Sequence, residues 1–431
     1  MSASPAVLLI DPIERASGTV HLPGSKSISN RALLLSALAG GETTLDNLLD
    51  ADDTRVMRKS LTDLGVQSLQ EGVSLRVGGC SGRFPVREAS LFLGNAGTAF
   101  RSLTAALAFS GGRYELDGVA RMRQRPIADL VDALNQLGAR IRYGGATGFP
   151  PLAVDQAQRL SSDRVSINAT VSSQFLSGLL MAAPLIAPKQ GLRIDLDGAL
   201  TSRPYVDLTL SLMRRFGVSV ARDRGGYLVP NAAYQSPGRF VVESDASSAS
   251  YFLALGAIAG GPVRVAGIGR DSIQGDVRFA HVLADMGAEV ELRTHHVETR
   301  AATSRLRAID ADCNDIPDAA MTLAIVTLFA DGPSMLRNIA SWRVKETDRI
   351  AAMATELRKV GAEVDEGPDW IRIAPPTQLR EATIDTYDDH RMAMCFSLVA
   401  AGGVPVHIRD PGCVTKTFPD YFDRFAELVQ R

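Results

Sequence analysis

The chain has 431 residues, 45% of them apolar and 22% charged, and a formal net charge of −2. That length exceeds what one hydrophobic core supports, so two domains of an ordinary globular protein are expected. The near-balanced charge excludes bulk electrostatic attraction to nucleic acid or to a membrane surface, and any anion recognition has to come from local clusters of Lys and Arg.

The N-terminal stretch carries Asp11 and Glu14 and an apolar run of only five residues, Ala6 to Ile10. It reads as a strand and not as a secretory signal or transit peptide. Six helices follow, each opened by small, polar or acidic residues: at Ser25 (SKSISNRALLLSALAGG), Gly97 (GTAFRSLTAALAFSGG), Ser172 (SSQFLSGLLMAAP), Asp245 (DASSASYFLALGAIAGG), Asp318 (DAAMTLAIVTLFADG) and Asp389 (DHRMAMCFSLVAAGG). These starts recur every 71–75 residues, the mark of a repeated structural unit. Between them a second set of helices ends at Gly65, Gly138, Gly217, Gly287 and Gly361, where glycine suits a left-handed cap. Asp53, Asp129, Asp207, Asp276 and Asp348 stand near the starts of that second set and suit the helix dipole.

Each repeat therefore reads as strand, helix, strand, helix, then strand or hairpin, and the fold class as α/β (α+β). Six repeats over two domains give three apiece, with the change near Pro237 to Ser244. If the first strand joins the later half, residues 1–22 plus 244–431 form one discontinuous domain and 23–243 an inserted one. The longest apolar stretch, Leu176 to Pro188, is too short for a membrane span and is interrupted by Pro184. Cys80, Cys313, Cys395 and Cys413 show no metal-ligand spacing and are expected as reduced thiols of a cytoplasmic protein.

The charged residues gather at the helix starts. Leu22 to Arg31 places Lys26, Arg31 and three serines within two turns, without the Gly-x4-Gly-Lys-Ser/Thr phosphate loop. LGNAGTAFR is a glycine-bearing turn, RMRQRPI a cationic run, and Ser172-Ser173-Gln174 a group of polar donors. Thr201 to Tyr205 repeats the Arg-Pro device of Arg125-Pro126. Arg343 to Arg349 holds three cations and two carboxylates, and Asp388-Asp389-His390-Arg391, Asp318 and Lys416 follow the same trend. Taken singly, each of these also reads as a plain cap or a solvated charge, the RMRQRPI run more so than the Lys26 segment. Jointly, cations and acid/base groups at recurrent helix starts point to a site for anions, because those starts offer free N–H groups and partial positive charge.

The motifs LPGSKSISNRALLLSALA, LGNAGTAFRSL, MRQRPI, SSQFLSGLL, SRPY, PDAAMT, WRVKETDRI, DDHRMAM and TKTFPDYF resemble, in order, those of the 5-enolpyruvylshikimate-3-phosphate (EPSP) synthase family of enolpyruvyl transferases. The resemblance runs from about residue 20 to residue 425. It implies two similar domains, each of three βαβαββ units, hinged around an interdomain cleft that holds the active site. It also implies transfer of the enolpyruvyl group of phosphoenolpyruvate to the 5-hydroxyl of shikimate 3-phosphate, through a non-covalent tetrahedral intermediate and with no metal or other cofactor.

Carried over by motif, phosphoenolpyruvate meets Lys26, Gly97, Arg125, Gln174, Arg349, Arg391 and Lys416. Shikimate 3-phosphate meets Lys26, Ser27, Arg31, Ser172, Ser173, Gln174, Ser202, Asp318, Ser341 and Lys345. The catalytic set is Lys26, Asp318, Glu346 and His390: Asp318 as base for the 5-hydroxyl, Glu346 and Lys26 as candidates for proton delivery to the methylene carbon, His390 beside them. The expected partners are these two small molecules, with no nucleic acid and no membrane, and the expected state is a cytoplasmic monomer. Two positions depart from the family pattern. Ser102 stands where the family usually has Pro, which predicts reduced sensitivity to glyphosate; Ser341 stands where Asn is common. The related transferase acting on UDP-N-acetylglucosamine is the alternative, disfavoured because Asp117 to Arg125 lacks the Cys expected there. A non-catalytic module binding phosphorylated metabolites or RNA is disfavoured by Asp318, Glu346 and His390.

Overall fold

In a computed structural model, residues 6–157 and 160–430 are described. Residues 1–5 and 431 of the expected outer domain, and 158 and 159 of the inserted one, lie outside the described residues. The chain forms two compact units: residues 24–242, and the described residues through Pro23 together with those from Glu243 onward.

Twelve α-helices occur among the described residues. The first six are α1 (Lys26–Leu38), α2 (Asp52–Asp63), α3 (Gly97–Leu107), α4 (Ala128–Gln136), α5 (Ser173–Ala182) and α6 (Arg203–Arg215). The rest are α7 (Ala246–Ile258), α8 (Phe279–Asp285), α9 (Ala320–Val326), α10 (Arg349–Lys359), α11 (His390–Phe396) and α12 (Tyr421–Leu428). The odd-numbered helices are the six predicted from the repeat. They form the core of each unit, α1 and α5 flanking α3 in one, α7 and α11 flanking α9 in the other.

These central helices carry no polar face because every side packs against protein. All of α9 is buried, and α1 is buried from Ile28 to Leu38. Small and hydroxyl side chains let them approach. A Cβ added to Gly178 of α5 would lie 3.0 Å from the Arg101 carbonyl oxygen of α3. In the other unit Ser250 and Thr322 hydroxyls bond at 2.7 Å, and Thr322 reaches Cys395 at 3.7 Å, so their polar atoms satisfy one another in the core.

The even-numbered helices α2, α4, α6, α8 and α10 end as read from sequence. Gly65, Gly138, Gly217, Gly287 and Gly361 all have φ between +84° and +101°. The N–H of the next residue returns to the carbonyl five back: Val66 to Leu61, Ala139 to Leu134, Val218 to Met213, Ala288 to Leu283 and Ala362 to Leu357, at 2.9–3.1 Å. That bond closes the Schellman motif, which glycine enters without steric cost. Of the five aspartates, Asp348 caps α10 by accepting the Ala351 N–H at 3.2 Å, and Asp53 and Asp129 lie in first turns. Asp276 lies in the first turn of the 3-10 segment that runs into α8, and Asp207 does not lie in a first turn. Pro204 sets the start of α6 earlier, leaving Asp207 in the second turn; Asp276 is buried in the 3-10 turn Gly275–Arg278, where it accepts the Ser247 hydroxyl.

Among the described residues each unit has three sheets, and the second repeat shows the pattern. Glu88–Phe92 and Arg113–Asp117 pair in parallel, and Leu152–Asp155 and Arg140–Tyr143 add antiparallel, giving the βαβαββ order. The third and fifth repeats match it. In the first and fourth, the leading strand is exchanged along the chain. Arg15–His21 precedes α1 in sequence but pairs with Gly260–Ala266; Arg239–Val241 precedes α7 but pairs with Glu42–Asp46. Among the described residues the sixth repeat has no hairpin, and Val7–Ile10 pairs antiparallel with Val406–Arg409 instead. Among the described residues no helix is long and apolar enough to cross a membrane.

Candidate active site

The expected site residues fall into two sets, one in each unit. In the unit of residues 24–242, Lys26 is the first residue of α1, and its ammonium lies 3.8 Å from Asp53 of α2. Gly24 before it has no space for a side chain, since a Cβ would meet the Asn47 carbonyl oxygen at 1.9 Å. One turn into α1, Arg31 is 2% exposed. Its guanidinium donates to Thr209 Oγ1 at 2.8 Å, the Ser27 carbonyl at 2.9 Å and Ser177 Oγ at 3.4 Å. Burial pushes its pKa down to about 10, with Tyr205 opposing. None of these partners is a carboxylate, so the charge is uncompensated.

Arg125 is built the same way. It follows the 3-10 turn Met122–Gln124, is 3% exposed, and donates through Nη1 to Asn95 O at 3.0 Å and Asn95 Oδ1 at 3.1 Å, while Nε meets no acceptor. Gly97 opens α3 directly beneath it: a Cβ there would stand 2.4 Å from Arg125 Nη2. Arg101, one turn on, donates to the Pro126 carbonyl at 2.8 Å and pins the loop that carries Arg125. Ser172 caps α5, accepting the Gln174 N–H at 3.3 Å; Ser173 follows, and the Gln174 amide donates to Thr98 of α3 at 3.4 Å. The starts of α3 and α5 are thereby brought together. Ser202 caps α6 from a left-handed conformation, φ +53°.

In the other unit the residues form one continuous ion cluster around Asp318. Its Oδ1 lies 3.3 Å from Lys345 Nζ and 3.2 Å from Arg349 Nη1; its Oδ2 lies 2.9 Å from Arg391 Nη2. Arg349, 1% exposed, also donates to Glu346 at 2.8 Å and to both oxygens of Asp389, at 2.7 and 3.2 Å. Burial alone would lower its pKa, but Asp389, Glu346 and Asp318 together raise it above the ordinary arginine value. Burial, in turn, lowers the Lys345 ammonium, with Asp318 opposing. Lys416 Nζ is 3.7 Å from Glu346, and Arg391 also donates to the Tyr251 hydroxyl at 3.0 Å. His390 is fully buried, its Nδ1 3.6 Å from Asp389. Ser341 is buried with no partner for its hydroxyl, so that oxygen is available to a ligand.

The helix-start expectation needs correction at several of the six positions. Asp245 and Asp389 cap α7 and α11 with their own side chains, as Ser172 does for α5. Asp318 lies one residue before the N-cap of α9, because the helix proper begins at Ala320. α1, α3 and α9 begin without a side-chain cap bond, α1 and α3 beside Lys26 and Arg125 and α9 just after Asp318. Sequence reasoning missed Asp53, Asn95, Arg101, Tyr251 and Asp389 as supports. Asp389 and Asp53 carried a capping signal; Tyr251 carried none.

Buried Asp276 bears on the same cluster. Burial, and then the negative charge of Asp318, raise its pKa to about 6. The native state thus holds a proton between about pH 4 and pH 6 that the unfolded chain releases, so this group lowers stability as pH rises through that window. Asp276→Asn is expected to gain about 1–3 kcal/mol on the parent between pH 4.5 and 7.5, at roughly 1.4 kcal/mol per unit of displacement. Urea unfolding at the two pH values measures it; a constant difference between the proteins would refute it.

Repeated βαβαββ units with buried cations at their central helices define an enzyme of the enolpyruvyl-transferase fold. The EPSP synthase (3-phosphoshikimate 1-carboxyvinyltransferase) family model matches residues 10–425. The chain belongs to that family. It is 62% identical over 421 residues to the 3-phosphoshikimate 1-carboxyvinyltransferase of Thiobacillus denitrificans, covering 96% of this chain and 98% of that one. It is 59% identical to that of Burkholderia vietnamiensis, covering 98% and 99%. Two solved structures share the fold: an EPSP synthase from Acinetobacter baumannii (TM-score 0.81, 24% identity, 98% of both chains) and the enolpyruvyl transferase NikO from Streptomyces tendae (TM-score 0.77, 19% identity, 99% and 98%).

Proposed function

We propose that the two sets of residues serve one substrate pair, transferring the enolpyruvyl group of phosphoenolpyruvate to the 5-hydroxyl of shikimate 3-phosphate. The observation that carries this reading is the asymmetry of charge. The unit of residues 24–242 holds buried guanidinium groups, Arg31 and Arg125, without carboxylate partners. Its counterpart holds a carboxylate, Asp318, ringed by Lys345, Arg349 and Arg391. Uncompensated cations call for anionic ligands, and both substrates are polyanions. The identities near 60% with relatives named for this activity support the assignment.

In the reaction, Asp318 takes the 5-hydroxyl proton as that oxygen bonds to the enol carbon, and the methylene carbon gains a proton from Lys26 or Glu346. Loss of a proton from the new methyl group then expels phosphate and restores the double bond. Arg125, Lys26, Arg391 and Lys416 hold the carboxylate and phosphate of phosphoenolpyruvate, while Ser173, Gln174 and Ser341 face shikimate 3-phosphate. The enzyme works as a cytoplasmic monomer, a setting that suits four free cysteines, three of them buried with pKa values raised to about 12. Phosphate release from phosphoenolpyruvate with shikimate 3-phosphate, and none with UDP-N-acetylglucosamine, is the deciding experiment; the reverse result overturns the assignment.

Arg125→Ala should leave thermal stability unchanged or raised, since it removes an uncompensated buried charge. It should still cost about 2–5 kcal/mol in kcat/KM for phosphoenolpyruvate. Near-native turnover would remove Arg125 from the site. Ser102 bears on inhibition by glyphosate. It is the sixth residue of α3, beyond the first turn, so proline there would delete an intrahelical bond and bend the helix that carries Gly97 and Thr98. We expect Ser102→Pro to increase glyphosate sensitivity; equal inhibition of parent and variant would exclude it.

A further inference from the structure

One buried carboxylate outside the ion cluster has no part in the reaction as derived. Glu356 lies nearly two turns along α10 and is fully buried. One of its oxygens accepts the Tyr387 hydroxyl at 2.7 Å. The other accepts the Asp385 N–H at 3.1 Å and lies 2.7 Å from Lys359 Nζ. Lys359 also bonds Asp385 at 2.7 Å, and Arg409 holds the second Asp385 oxygen at 3.0 Å. All these contacts converge on residues 385–388.

That segment is strained. Tyr387 and Asp388 both have φ of +55°, two successive non-glycine residues in the left-handed region. Such residues persist only where their surroundings over-determine them, and they gather at functional sites. Immediately beyond them Asp389 caps α11 and holds Arg349, and Arg391 reaches Asp318. Helix α10 carries both ends of the arrangement: Arg349 is its first residue, and Glu356 lies seven residues on.

We propose that Glu356 and Tyr387 form a clamp of positioning residues. The clamp holds the left-handed turn so that Asp389 and Arg391 meet Arg349 and Asp318 in register. Burial, and then the Glu356 bond, raise the Tyr387 phenol, which keeps it the donor. The activity arm of the test rests on the proposed reaction; the geometric arm does not.

The experiment compares Tyr387→Phe, Tyr387→Ala and Tyr387→Gly in the full-length chain. Losing the hydroxyl should speed amide hydrogen exchange over residues 389–393 about tenfold, leaving residues 352–359 unchanged. The same variant should raise KM for phosphoenolpyruvate about tenfold while KM for shikimate 3-phosphate stays within about twofold. Glycine enters the left-handed region freely, so Tyr387→Gly should be closer to the parent than Tyr387→Ala in both readouts, the reverse of their usual order. Unchanged exchange in Tyr387→Phe, or glycine no better than alanine, overturns the clamp. A parent chain that fails to turn over the two substrates defeats the proposed reaction instead, and exchange alone then decides.

Discussion

Arg349→Met is expected to destabilise its unit by about 3–5 kcal/mol, the usual cost of removing one partner from a buried ionic network. Methionine replaces the arginine stem out to about Nε, so what is lost is the charged head that joins the carboxylates. Arg349 is 1% exposed and joins Asp318, Glu346 and Asp389, which stay close together without it. The sign with pH follows. A raised basic pKa contributes stability at every pH below the unfolded arginine value, so the parent keeps this contribution throughout the working range. The variant's deficit is therefore largest where the carboxylates are charged and shrinks as acid neutralises their mutual repulsion. Urea unfolding of parent and variant across pH measures it. Arg349→Lys keeps the charge but not the three-way fork and should lie between them. A deficit under about 1 kcal/mol at pH 7 would mean that the cluster relaxes without its central cation.

The central place of Arg349 among three carboxylates is not legible in the sequence. Lys345, Glu346, Asp348 and Arg349 are neighbours in WRVKETDRI, and their types point to an ionic site. That Arg349 already answers three carboxylates is a property of topology: Asp318 and Asp389 arrive from the starts of other repeats. The period near 73 residues fixed where the central helices fall because a buried helix needs its apolar and small residues locally. The cap glycines were legible for the same reason, since a Schellman motif closes within six residues.

The partners of the two exchanged strands were not legible. Arg15–His21 and Arg239–Val241 each precede a central helix, as the repeat demands, yet each pairs with a strand more than a hundred residues away. Nothing in a short β pattern names its partner. Asp276 stands at its helix start as read, but that its side chain accepts from Ser247 of another helix was not legible. The strain at Tyr387 was also invisible, since tyrosine does not announce a left-handed backbone, and aspartate at 388 is only weakly suggestive of one. Lys26, Arg125 and Arg391 stand out in the sequence because family motifs surround them; Arg101 sits inside the same motifs without such a signal, and Asp389 reads only as a helix start.

Asp318→Asn carries the second large effect, and it falls on rate where Arg349→Met falls on stability. The amide keeps the shape of the carboxylate but can accept from its neighbours through one oxygen only. Lys345, Arg349 and Arg391 all point donors at this group, so one of them must face an NH2. That mismatch costs about 1–3 kcal/mol of stability, within what the unit tolerates. The chemical loss is larger, because asparagine cannot take the proton from the 5-hydroxyl. A positioned base contributes about 10²–10⁴-fold, and kcat should fall by that factor while KM for shikimate 3-phosphate changes little. If instead KM rises and kcat is kept, Asp318 only holds the hydroxyl, and the base must be sought elsewhere. Asp318→Glu separates the two further. It restores the base but lengthens the side chain by a methylene inside a ring fixed at 2.9–3.3 Å, so partial recovery of kcat over Asp318→Asn is the outcome required of a catalytic carboxylate.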